Sequence, residues 1–190
     1  MKNTILLLTL IFTTLTSFSQ NRLDSLILDE VNKYRNCRGL SEIVWDDSVY
    51  VGSYGHTEYM TKVGDITHYE EEYVKGHTNK SLTERISSTS YPDDVLIVNV
   101  MENLGLLTTA KGDKIKRSDE ELAVIIVKMW DESPTHNRIL NMKPMLSDVN
   151  SKGVMRGAVS TIKTNYRKEE KWKNRKNPWV YVTLNFVESY

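Results

Sequence analysis

Leu23, Leu26, Ile27, Val31 and Tyr34 fall on one helical stripe. They predict a first helix over about residues 23–36, with Gly39 as its stop signal. Asp46 and Asp47, after Trp45, are good N-caps for a second helix. It carries Val49, Tyr50, Tyr54 and Met60 to about Lys62 and ends at Gly64. Gly52 and Gly55 weaken the helix preference there, and small residues also let a neighbouring backbone approach. A polar stretch, 65–81, holds His68 and His77, and Leu82–Ser87 reads as a short helix. Val95–Val100 is short and β-branched, which favours a strand that ends just before Glu102. Thr108–Arg117 reads as a polar loop. The clearest helix follows: Ser118 and Glu121 form a capping box, and Leu122, Ile125, Ile126, Met129 and Trp130 keep the i, i+3, i+4, i+7, i+8 spacing. Ser133-Pro134 starts another helix, with Ser as N-cap and Pro in the first turn beside His136. Gly153–Thr164 and Trp179–Val187 read as late strands. Helices mixed with late antiparallel strands predict an α/β fold with a sheet between helical layers.

The start of the chain sets the expected compartment. Lys2, the apolar run at 5–12 and the small Ser17 and Ser19 predict a signal peptide over 1–19. The run is too short to span a bilayer, which takes about 20 apolar residues. No other stretch is long enough, so the mature chain is expected to lack a transmembrane anchor and to be secreted or periplasmic. No cysteine lies immediately after the cleavage point, which argues against a lipid anchor there. Residues 20–190 then form one domain. Cys37 is the only cysteine, so no intrachain disulfide forms and the fold must stand on packing. Its side chain reads as small and half-buried.

Lys plus Arg and Asp plus Glu both number 25. A near-neutral domain is not a general nucleic-acid binder. Charge is uneven, however. Residues 163–176 are basic and include Tyr166 and Trp172. The segment reads as a solvated loop, or as a contact for an anionic glycan, lipid or protein partner.

The candidate chemistry centres on His68, Glu102 and His136. Imidazole plus carboxylate is a ligand set for Zn²⁺ and a kit for acid/base work. One reading has His68 and His136 binding Zn²⁺ or another divalent metal, with Glu102 as ligand or as the group behind the ligands. Two imidazoles fall short of the three protein ligands of catalytic zinc sites, so binding is expected to be weak and pH-sensitive. The other reading has the same residues only tying loops together by hydrogen bonds. Hydrolysis would use Glu102, His68 and His136 as the catalytic set, with Glu102 activating a water. No HExxH helix or GxSxG elbow accompanies it. Ser133 reads as a helix cap rather than a nucleophile. His56 reads as a packed or surface residue, His77 as solvated, and Trp45, Trp130 and Trp179 as core anchors. Asn79-Lys80-Ser81 fits a glycosylation sequon, though three letters are weak evidence.

Several motifs in order resemble the CAP superfamily (cysteine-rich secretory proteins, antigen 5, pathogenesis-related 1). "VNKYRNCRGLSEIVWDDSV" resembles its opening, through Asn32, Arg35, Leu40, Trp45 and Asp46. "THYE" resembles the first histidine motif and gives His68. "ERI" followed by "ENLG" resembles the Gly-Glu-Asn-Ile motif and gives Glu102 and Asn103. "MWDESPTHNRIL" resembles the motif of the bacterial, SCP-like branch, through Trp130, Ser133, Pro134, His136, Ile139 and Leu140. "WVYVTLNF" resembles the closing strand. Met101 stands where the motif has Gly, and Ser133 where many members have a second Glu. The resemblance implies a three-layer α-β-α sandwich with a mainly antiparallel central sheet over 20–190. It also implies secretion and a His/acid cleft that binds a divalent metal in some members, while others carry lipid or sterol.

The resulting expectation is a secreted CAP-domain protein, non-catalytic, that binds an extracellular or envelope ligand or protein and has a weak metal cleft at His68, Glu102 and His136. A peptidase-like, metal-assisted hydrolase and a lipid or sterol binder are the alternatives.

Overall fold

The computed structural model describes residues 21–71, 81–89, 97–111, 115–144, 154–164 and 179–189. The signal peptide, His77, Asn79 and most of the basic segment, including Tyr166 and Trp172, lie outside the described residues.

Helix α1 (Arg22–Asn36) starts at Asn21. The Asn21 side chain accepts from the Asp24 N–H at 3.1 Å, and the Asp24 carboxylate accepts from the Asn21 N–H at 3.3 Å. The Asp24 amide also reaches the Asn21 carbonyl at 3.1 Å, so the reciprocal side-chain bonds close the helix start. Strand β1 (Val44–Trp45) leads into α2 (Asp47–Val63). Asp46 caps α2 by accepting from the N–H groups of Ser48 and Val49 at 2.8 and 3.2 Å. Gly64 ends it at φ 73°, a left-handed conformation that costs glycine nothing. Helix α3 (Leu82–Ser87) lies against α2 at Gly52, where a Cβ would meet Ile86 Cδ1 at 2.8 Å and the Arg85 carbonyl oxygen at 3.2 Å. The missing side chain at Gly52 thus lets Arg85 approach α2. Gly55 has no comparable neighbour.

Strand β2 (Ile97–Thr108) runs well past the expected end at Val100. Glu102, Asn103 and Gly105 look like a break in sequence. All three are buried mid-strand, where pairing with a neighbouring strand satisfies their backbone. The expected loop after it contains a small antiparallel pair, β3 (Ala110–Lys111) and β4 (Ile115–Lys116). Helix α4 (Asp119–Glu132) carries the Ser118/Glu121 capping box, and α5 (Pro134–Leu140) has Pro134 in its first turn. Ser133 holds the N-cap position of α5, but its side chain makes no capping hydrogen bond, contrary to the sequence reading. Strands β5 (Val154–Thr164) and β6 (Trp179–Ser189) complete the described elements.

The four-stranded sheet has the order β1-β5-β6-β2. Strands β2, β6 and β5 are antiparallel, and β1 joins β5 in parallel. The sheet is therefore mixed rather than mainly antiparallel. A parallel pair needs a long crossover, and everything from α2 to α5 supplies it.

Side chains alternate across a strand, and β6 divides accordingly. Val180, Val182, Leu184 and Phe186 join Leu23, Ile27 and Val31 of α1 and Leu122, Ile126 and Trp130 of α4 in the main apolar cluster. On the other side, Tyr181 packs with Tyr59 and Met60 of α2, and Val187 with Val49 and Tyr50. Between those two small clusters lies a polar band. Ser53, His56 and Thr57 of α2 face Glu102, Ser160, Thr183 and Asn185 of the sheet, all of them buried. The Thr57 and Thr183 hydroxyls meet at 2.8 Å.

Candidate functional site

Glu102 lies in the polar band, opposite Asn185 in the β2–β6 register. Its neighbour in sequence, Asn103, takes the other face of the strand and donates to the His136 carbonyl at 3.2 Å. Two consecutive residues of β2 thus serve both histidines. Trp130 fastens α4 to the same strand by donating its indole N–H to the Leu104 carbonyl at 2.7 Å.

The motif residues of α1 place α5. Asn32 brackets Ile43, donating to its carbonyl at 2.9 Å and accepting from its N–H at 2.8 Å. Arg35 is fully buried and donates to the carbonyls of Leu140 and Met142 at 2.8 and 3.1 Å, closing the C-terminal end of α5. The Tyr34 hydroxyl donates to Asp131 at 2.8 Å and accepts from Asn137 and Asn141, each at 2.9 Å. His136 therefore rides on a helix bolted to α1.

His68 sits on the loop after α2. Its Nδ1 is 2.9 Å from Glu102 Oε1, and the side chain is about half exposed, at 54%. The other Glu102 oxygen accepts from Arg85 of α3 at 2.7 Å. His136 Nδ1 is buried with no hydrogen-bond partner among the described residues. Burial holds the His136 imidazole below its ordinary pKa, and the nearby charge of His68 lowers it further. The two imidazoles are therefore close enough to sense one another, and His68 has Glu102 as its partner.

The loop is held by residues that sequence reasoning passed over. His56, read as packed or at the surface, is fully buried. Its Nδ1 is 2.9 Å from Glu70 Oε1, its Nε2 is 2.7 Å from the Thr67 carbonyl oxygen and 3.9 Å from Glu102 Oε1. Arg85 also donates to the His68 carbonyl at 3.2 Å, and its Nε lies 3.7 Å from Glu70. Tyr59 accepts from the Glu71 N–H at 2.9 Å. The one available sequence signal was a histidine on the buried face of a helix four residues before Met60.

Among the described residues, no group of three or more His, Cys, Asp and Glu side chains is arranged to hold a metal ion. Both Glu102 oxygens already face His68 and Arg85. Cys37 is exposed rather than half-buried, and lines a shallow groove with Tyr34 and Lys128 away from His68. No helix among the described residues is long and apolar enough to cross a membrane.

No family model matches the sequence, and no curated protein matches it. Solved structures do. One is an outer surface protein of Borrelia burgdorferi, at TM-score 0.53 and 14% identity, over 87% of this chain and 92% of that one. Another is an extracellular protein containing an SCP domain from Bacillus anthracis, at TM-score 0.52 and 15% identity, over 87% of this chain and 40% of that longer one. At such identities the likeness is one of fold.

Proposed function

Taking the bacterial SCP/CAP-like fold as the premise, we propose that this protein is a secreted, non-catalytic binding module. Its site weakly takes a divalent cation such as Zn²⁺ through His68 and His136. Glu102 stands behind His68 as its hydrogen-bond acceptor rather than as a ligand. Apolar contacts of α1 and α4 with one face of the sheet, and of α2 with the other, support an α-β-α layering. The ligand or partner is extracellular or in the cell envelope, in keeping with the extracellular setting named for the two similar structures.

The observation that carries the proposal is that the His68 imidazole, paired with Glu102, lies near enough to His136 to disfavour its charged form, while His136 Nδ1 is buried with no hydrogen-bond partner among the described residues. An orphaned ring nitrogen is a place where something other than protein completes the bonding. Neutral imidazole is the form that binds metal, and burial keeps His136 in that form. A bound cation would supply positive charge to attract an anionic or carbonyl group of a ligand. Hydrolysis is disfavoured because Glu102 is buried with both oxygens engaged, a poor position from which to take a proton from water.

Calorimetric titration with Zn²⁺ tests the reading. Weak single-site binding is expected, lost in His68→Ala and in His136→Ala, with no turnover of a peptide and ester panel. Absence of Zn²⁺ binding by the wild type, or binding indifferent to both substitutions, overturns it. Turnover abolished by Glu102→Ala would favour the hydrolase instead.

A further inference from the structure

His56, Glu70, Arg85 and Glu102 form a ring of four polar groups from α2, the His68 loop, α3 and β2, each at most 5% exposed. Hydrogen-bond chemistry fixes much of the proton arrangement inside it. The Thr67 carbonyl only accepts, so the 2.7 Å contact puts a proton on His56 Nε2. The 2.9 Å contact between His56 Nδ1 and Glu70 holds one further proton, whichever of the two carries it. That pair is neutral as a unit. Arg85 and Glu102, 2.7 Å apart, cancel as cation and anion. The ring balances its charge without calling on His68.

A Glu102 carboxylate paired with Arg85 only accepts. His68 must therefore donate through Nδ1, and in the neutral imidazole Nε2 is then the nitrogen with a free lone pair. The same ring fixes the backbone beneath. The Thr67 carbonyl is bound by His56, the His68 carbonyl by Arg85, and the Glu70 side chain by His56. Replacing a buried charged cluster by apolar residues often leaves stability unchanged or improved. What apolar residues would not provide is a fixed ring with a fixed tautomer.

We propose that His56, Glu70 and Arg85 are positioning residues: a buried clamp that holds His68 with its proton on Nδ1 and offers Nε2 for coordination. The proposal rests on reading His68 as a ligand, and it deepens that reading by naming what prepares the ligand. Ligating histidines are oriented through their second nitrogen by such a partner.

The test uses NMR of ¹⁵N-histidine-labelled full-length protein at mildly alkaline pH, without metal. Wild type should show His68 protonated on Nδ1 and His56 protonated on Nε2. Arg85→Met removes the donor that fixes Glu102, so His68 should average between tautomers and Zn²⁺ affinity should fall roughly 10–100-fold. Arg85→Lys restores a cation at the same place and should recover the Nδ1–H form. A purely structural role would lower thermal stability and leave the His68 tautomer alone. Should Arg85→Met not fold, the charge-balanced double substitution Arg85→Gln with Glu102→Gln serves the same arm. A wild-type His68 protonated on Nε2, a bare Nε2 on His56, or an unchanged His68 spectrum in the folded variants overturns the clamp. Because these spectra need no metal, failure to bind Zn²⁺ would end the cleft reading while the tautomers still decide the clamp.

Discussion

Leu184 and Asn185 are neighbours in β6, both fully buried, and they belong to different interiors. Leu184 points into the apolar cluster with α1 and α4. Asn185 points toward α2, where neither side-chain atom finds a partner among the described residues. Ser160 on the same face is likewise unpartnered at its hydroxyl. One face of the sheet is built for cohesion, since apolar burial contributes about 25 cal/mol per Å². The other carries costs that packing does not recover, because a buried polar group without a bond destabilises by about 1–3 kcal/mol. Asn185 and Ser160 share this face with Glu102, whose partners hold His68. The apolar cluster thus lies on one side of the strands and the polar groups behind His68 on the other, while His136 is carried on α5 from the apolar side.

The division can be broken most severely on the cohesive face. Leu184→Ala should cost about 2–5 kcal/mol in urea unfolding, through lost transfer energy plus the cavity left behind. It should leave Zn²⁺ binding by the folded fraction unchanged. A loss under about 1 kcal/mol would mean that this face is not the chief source of stability.

Asp24 sharpens the comparison, because it is a buried carboxylate with no basic partner among the described residues. It accepts from the Thr161 hydroxyl at 2.6 Å, with Tyr50 at 3.4 Å, and burial raises its pKa to about 6. Glu102, by contrast, has Arg85. A carboxyl raised on folding favours the native state while protonated. Its contribution is full below about pH 4, the unfolded value, and is lost as pH climbs through about 6. The loss is at most about 3 kcal/mol. In Asp24→Asn the unfolding free energy should lack this fall between about pH 4 and 6. An identical slope in both proteins would show that Asp24 is not the group responsible.

The smallest effect is expected on the polar face. Asn185→Leu removes unmet hydrogen-bonding groups, so it should be neutral or stabilising by about 1 kcal/mol. The same exchange in reverse at the adjacent position, Leu184→Asn, should be severely destabilising. If Asn185→Leu costs as much as Leu184→Ala, Asn185 has bonded partners after all and the two faces are more alike than the packing implies.

Legibility in the sequence follows the same line. The apolar face was readable, because α1 and α4 carry regular stripes and their caps are local. Gly64 and Pro134 marked a helix end and a helix start for reasons of backbone geometry alone. His68, Glu102 and His136 stood out by residue type and by motif resemblance, but nothing in their spacing says that they meet. Glu70 and Arg85 went without a role, and His56 was read only as packed or at the surface, because an apolar stripe assumes an apolar interior, and α2 turns Ser53, His56 and Thr57 inward. Strand β2 was cut short for the same reason: Glu102 and Asn103 look like surface residues until their partners from distant segments are known. The parallel placement of β1 had no local signal, being set by where β5 arrives much later in the chain.

The position of β6 bears on how the chain comes to be folded at all. It lies between β5 and β2 in the sheet, yet it follows both of them in sequence and so is made after each of its neighbours. Every helix described here is synthesised before the strand it helps to sandwich. Leu122, Ile126 and Trp130 therefore have no sheet to cover during elongation, and they offer a nascent chain's greasy surface to whatever holdase is at hand. The molecule acquires its shape in a late, largely non-local event of the kind that is slow for topological reasons.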